Sequence, residues 1–161
     1  MSTAVTGSDV DDLTLSITEE IHVNATPEAT FEALVEELGR GMTGAEVQPM
    51  PMKIEAWPGG RWYRDLGDGN GHLWAHVQAI KRPTLLEFYG PLMLSFAVAS
   101  NVQYRLTQEQ GGTLIKFHHY AVGAIPADVK VAMEGGWHTI LERAKRRAEE
   151  QQEQSGGAPC R

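Results

Sequence analysis

Six histidines are the residues of this 161-residue chain that first invite a chemical reading, and their spacing decides which chemistry is open. His72 and His76 lie in an alternating segment, where they share one strand face with Cα atoms roughly 13 Å apart, too far for a single ion. His118 and His119 are adjacent and point to opposite faces. His22 falls on the polar side of an alternating stretch and His138 on the polar side of a helical one, beside Glu134. The single cysteine, Cys160, lies in a Ser-Gly-Gly-Ala-Pro tail. The set completes no zinc-like ligand group, so neither a metal nor a cofactor is expected.

His119 is the histidine with a chemical claim, because it shares a face with Ile115 and Phe117. A polar ring among apolar side chains must find a partner. One reading is a satisfied core histidine, bonded to Tyr104 or the backbone. The other is a ligand anchor or a general acid/base, since imidazole titrates near neutrality. His119, Tyr104 and His76 are therefore the candidate catalytic residues. The inward face around His76 stays open, because Leu73, Ala75 and Val77 compete with Trp74, His76 and Ile80.

The carboxylates give no catalytic pair. Glu28, Glu32, Glu36 and Glu37 read as the exposed side of a helix, and Asp65 and Asp68 as a hairpin end. Gly59-Gly60 precedes a strand rather than a helix, so it is no phosphate loop, and no nucleophile motif or dinucleotide fingerprint is present. Arg61, Arg64 and Arg105 suit salt bridges or an anionic head group. Met42, Met50 and Met52 suit an adaptable apolar pocket.

These residues must be positioned by a chain with a formal charge of -7, which argues against a nucleic-acid partner. The basic run from Arg143 to Arg147 reads as a solvated helix face. The first residues are polar and acidic, and no apolar run is long enough to span a bilayer, so a cytoplasmic location is expected. Residues 1–11 and 152–161 read as loose ends around one domain over 12–151.

Within the domain, Leu13 to Val23 alternates cleanly as a half-buried strand. Thr26-Pro27-Glu28 opens a helix carrying Phe31, Leu34, Val35 and Leu38 on one side, and Gly39 stops it. The stretch 41–51 is irregular or a short second helix. Period-two runs then follow over 52–57, 61–66, 72–80, 84–89, 96–107 and 113–120, separated by tight turns. A long amphipathic helix over 126–150 closes the chain, with Val129, Met133, Trp137, Ile140, Leu141, Ala144 and Ala148 inward. Gly135 and Gly136 interrupt it at a cost of roughly 1 kcal/mol each relative to Ala. They serve close packing on a sheet, or leave a gap beside Trp137 for a ligand. The class is α+β: about seven antiparallel strands, one or two short helices after the first, and a long final helix.

Four segments carry a family resemblance: Ile21 to Phe31, Pro58 to Tyr63, Gly111 to His119, and Gly136-Trp137 with Leu141. Together the chain resembles the START-like, Bet v 1-like (SRPBCC) helix-grip superfamily, in the branch named for the activator of Hsp90 ATPase. The resemblance implies a curved sheet wrapped around the last helix. It also implies a cavity for a small apolar or amphipathic molecule, lined by Trp62, Trp74, Tyr104, Phe117, His119, Met133, Gly136, Trp137 and Leu141. The alternatives it leaves are a polyketide cyclase- or hydrolase-like enzyme using a cavity histidine, and a chaperone-interaction module. A homodimer is compatible with all three.

Overall fold

The computed structural model describes residues 13–43 and 48–156. The loose end expected at 1–11, the last residues of the expected tail and part of the 41–51 stretch lie outside the described residues. The elements in order are β1 (Thr14–Val23), α1 (Pro27–Leu38), β2 (Lys53–Ile54), β3 (Arg61–Gly67), β4 (Asn70–Lys81), β5 (Leu85–Gly90), β6 (Val98–Glu109), β7 (Gly112–Gly123) and α2 (Ala127–Gly156). The strands form one seven-stranded sheet in the order β1-β7-β6-β5-β4-β3-β2. Every pairing is antiparallel. The expected α+β helix-grip architecture is what the chain adopts.

Local chemistry sets the boundaries. Thr26 caps α1 by accepting from the Ala29 amide, Pro27 fills the first turn, and Gly39 closes the helix. The α1 carbonyl of Leu38 is taken by the buried Trp62 indole N–H at 2.7 Å, which ties the helix end to β3. Of the strand expected over 52–57, only Lys53–Ile54 is regular, because the chain turns at Trp57 toward Gly60. At the other end, α2 runs on to Gly156, past the expected boundary at 151.

The competition between the two faces of β4 is resolved by an irregularity. Trp62 pairs with Ala75 and Tyr63 with Leu73, so Trp74 is an extra residue on its strand. A bulge of this kind turns both of its residues toward one side. Trp74, Ala75 and Val77 are all buried, while His76 faces out. The alternation rule fails here because the strand does not keep its period.

The core lies between the inner sheet face and the helices, and it contains Leu34 and Leu38 of α1 with Trp137, Leu141 and Ala144 of α2. One residue of α1 departs from the expected pattern. Glu37 is 1% exposed, at a position in step with the buried Thr30, Ala33 and Leu34. Its carboxylate accepts from Arg143 Nε at 2.5 Å and from Arg147 Nη2 at 2.9 Å. Arg143 also donates to the Gly41 carbonyl at 3.1 Å. Neither Glu37 nor these two arginines belongs to a solvated face. They form a charged clamp between the helices, because a buried carboxylate requires paired cations.

Candidate functional site

The site is built on the inner face of β6 and β7, where pairing register fixes the neighbours. Ser100 lies opposite Ala121, Val102 opposite His119, and Tyr104 opposite Phe117, on consecutive rungs of one face. Trp137 of α2 covers this patch, with its ring 4.9 Å from Phe117 and 5.6 Å from His119. Tyr104 packs on Phe117 at 5.0 Å. His119 and Tyr104 are fully buried.

His119 finds its partner in the helix rather than in Tyr104 or the backbone. Its Nδ1 accepts from Trp137 Nε1 at 3.1 Å. Burial, with a smaller push from His118, lowers its pKa to about 4, so the ring is neutral near pH 7. A neutral imidazole that accepts at Nδ1 carries its proton on Nε2. Among the described residues that Nε2 is buried without a partner, and so are the Tyr104 hydroxyl and Ser100 Oγ; outside the patch the same holds for Thr30 Oγ1 and His118 Nε2. Burial pushes the Tyr104 hydroxyl well above the ordinary phenol range, which keeps its proton in place. The patch therefore presents polar hydrogens to an otherwise apolar and aromatic interior.

The other expected residues distribute unevenly. Trp62 and Trp74 are buried in a second aromatic group with Phe88, the Trp74 ring 5.2 Å and the Phe88 ring 5.0 Å from that of Trp62. Phe88 lies opposite Val102, which connects that group to the patch across the sheet. Met133 and Leu141 are buried along α2 with Trp137. Gly135 and Gly136 do not face the sheet, nor do they open a gap beside it. Both are exposed, and a Cβ on either would meet nothing within 4 Å. His76 is apart from His119: it bonds the Gly59 carbonyl at 3.2 Å and stacks on Tyr89 on the outer face. Met42 and Met52 are core, and Met93 is exposed. Among the described residues no group of His, Cys, Asp or Glu could hold a metal ion.

Two residues of the neighbourhood escaped the sequence reading. Ser100 has no signal beyond its place in the inward period of β6. Glu19 did have one, as a carboxylate in the apolar period of β1. It lies opposite Phe117 and binds His138 of α2 at 2.6 Å. That hydrogen bond and the charge of Glu19 raise the His138 pKa.

Two surface concavities lie away from this patch. One of about 240 Å³ is lined by Glu37, Arg143, Arg146, Arg147 and Glu150, and one of about 460 Å³ lies along the β3–β4 hairpin. Neither is lined by Tyr104, His119 or Trp137.

Residues 24–149 match the family described as Activator of Hsp90 ATPase homolog 1-like protein. The chain belongs to this family. Solved structures share its fold. Ara h 8.0201 has 15% identity and a TM-score of 0.63, over 84% of this chain and 97% of that one. A putative uncharacterized protein from Rhizobium leguminosarum has 20% identity and a TM-score of 0.65, over 85% and 95%. The di-domain ARO/CYC StfQ from the steffimycin biosynthetic pathway has 13% identity and a TM-score of 0.63, over 94% of this chain and 54% of that one. At these identities the likeness establishes the shared fold. No curated protein matches the sequence. Among the described residues no helix is long and apolar enough to cross a membrane.

Proposed function

We propose that this member of the activator-homologue family binds a small apolar or amphipathic molecule between the inner sheet face and α2. The observation that carries the reading is the set of unpartnered polar atoms on Ser100, Tyr104 and His119, buried together among aromatic side chains. Each unmade hydrogen bond of this kind costs about 1–3 kcal/mol, which a fold retains where something else supplies the partner. The ARO/CYC neighbour motivates an enzymatic alternative, but His119 is poorly suited to be a general base near neutrality. Its pKa is about 4, and its acceptor nitrogen is already engaged by Trp137.

The test is thermal unfolding against fatty acids, sterols, flavonoids and polyketide-like aromatics. A ligand at a hundred times its Kd adds about 2.7 kcal/mol, a midpoint rise of roughly 5–10 °C for a domain of this size. No rise with any class defeats the reading.

The family name supports a second reading, docking on a chaperone. Its physical support is the outer sheet face, where Tyr89 and Tyr120 flank Asn101 on one rung and Val122 lies exposed nearby. Stimulation of an Hsp90-class ATPase, lost when Tyr120 is replaced by Asp, is the expected result. An unchanged ATPase rate removes this reading.

A further inference from the structure

The hydrogen-bond polarity of the patch narrows the ligand beyond its apolar character. His119 offers an N–H, because its other nitrogen accepts from Trp137. Tyr104 offers an O–H, and lies diagonal to His119 across the β6–β7 pairing. Diagonal neighbours are about 7–8 Å apart at their backbones, within reach of one shared atom for side chains this long. The ligand group that meets both must be an acceptor.

Charge then separates the acceptors. The inner face around these rungs is made of Leu15, Ile17, Leu86, Phe88 and Val102, with Glu19 as its charged member. Glu19 is negative and is engaged by His138. A ligand carboxylate would be buried here among apolar side chains and near an acid, with the nearby cations already engaged, His138 by Glu19 and Lys130 of α2 by the Thr14 carbonyl, which is unfavourable. A ligand ammonium would meet two donors. A neutral oxygen with two lone pairs suits the patch.

We propose, resting on the interior-binding reading above, that the ligand carries a neutral carbonyl (ketone, ester, lactone or quinone) whose oxygen accepts from His119 Nε2 and the Tyr104 hydroxyl. Ser100 Oγ, on the far side of His119, provides a further polar contact.

The experiment uses the full chain and three probes on one medium-length carbon skeleton: a methyl ketone, its secondary alcohol and the corresponding carboxylate. The ketone binds tightest, with the carboxylate weaker by at least roughly tenfold. Tyr104→Phe, which removes an atom that has no partner in the free protein, weakens the ketone by about tenfold and leaves the carboxylate unchanged. The infrared carbonyl stretch of the bound ketone falls below its value in an alkane solvent, and in Tyr104→Phe it returns part of the way. A carboxylate that binds as tightly as the ketone, or an unshifted stretch, overturns the carbonyl assignment while interior binding stands. Failure of all three probes counts against both, and the wider ligand panel then decides whether the interior binds anything.

Discussion

Two buried polar clusters of this protein are built on opposite plans. Between the helices, Glu37 is almost wholly enclosed, yet its oxygens are taken by Arg143 and Arg147, and Arg147 also reaches Glu36 at 2.7 Å. On the inner sheet face, Ser100, Tyr104 and His119 are likewise buried, and each keeps an atom without a partner among the described residues. Burial is common to both clusters, so burial does not distinguish a structural group from one that awaits a partner. Completion does. A charge that serves the fold is neutralised within it, whereas a polar atom left open in an apolar interior stores a demand for a hydrogen bond.

The largest effect tests the completed cluster. Replacing Arg143 and Arg147 together by Ala strands the Glu37 carboxylate, and chemical denaturation should show a loss of about 3–5 kcal/mol. Glu37→Gln should cost less, because each arginine side chain is 28% exposed and can turn to water. Equal losses from the two variants would mean that the clamp acts as packing rather than as charge compensation.

Acid tests the incomplete cluster. The folded His119 has its pKa lowered from 6.5 to about 4, so the folded state binds fewer protons than the unfolded chain between those values. Its contribution is fully present above pH 6.5 and is lost as pH falls toward 4, on the order of 3 kcal/mol in all. His119→Gln should flatten this part of the stability profile. His138 has the opposite sign: its pKa is raised, so its contribution is present at low pH and is lost as pH rises through the folded value. A bound carbonyl should soften the acid limb, since Nε2–H donates to it in both protonation states and more strongly from the charged ring, which raises the folded pKa of His119.

The glycine pair lies just before Trp137, so the α2 residues that reach the two clusters, Trp137 for one and Arg143 and Arg147 for the other, all follow it. From Trp137 onward the helix is anchored by the core and the Glu37 clamp, while before it the arm is held by buried Met133, half-buried Val129 and the Lys130 bond to the Thr14 carbonyl at 2.9 Å, with Val131 71% exposed. Gly135→Ala with Gly136→Ala meets no obstruction and should stabilise the protein by about 1 kcal/mol per site. If the arm opens to admit ligand past Trp137, the double variant should also slow association and hydrogen exchange over 127–134. Faster or unchanged rates would show that the pair has no role in access.

Most of the fold was legible because period and turn chemistry agree with it. The alternation of β1, the Thr26-Pro27 cap and the apolar stripe of α2 each needed only local sequence. The bulge at Trp74 was not legible, since a one-residue insertion breaks the period that would reveal it. Within the site, the inward direction of His119 followed from Ile115 and Phe117. Its partner did not, because the Trp137 indole is supplied by another element through packing. Glu37 was misread for a related reason. A carboxylate in a helix is exposed by default, and only the facing arginines of α2 reverse that expectation.

The smallest predicted effect sharpens the comparison most. Because the Tyr104 hydroxyl has no partner among the described residues, Tyr104→Phe removes a desolvated polar group and leaves the aromatic packing on Phe117 in place. The free protein should then be unchanged or more stable by up to about 1 kcal/mol, measured by denaturant unfolding. A paired buried tyrosine behaves oppositely and loses about 1 kcal/mol or more on the same change. Destabilisation of that size would mean that an internal water or side chain already serves the hydroxyl, and the two clusters would then share one plan. Stabilisation of the free protein together with weakened ligand binding would be hard to explain in any other way than as a hydrogen bond held open for a ligand.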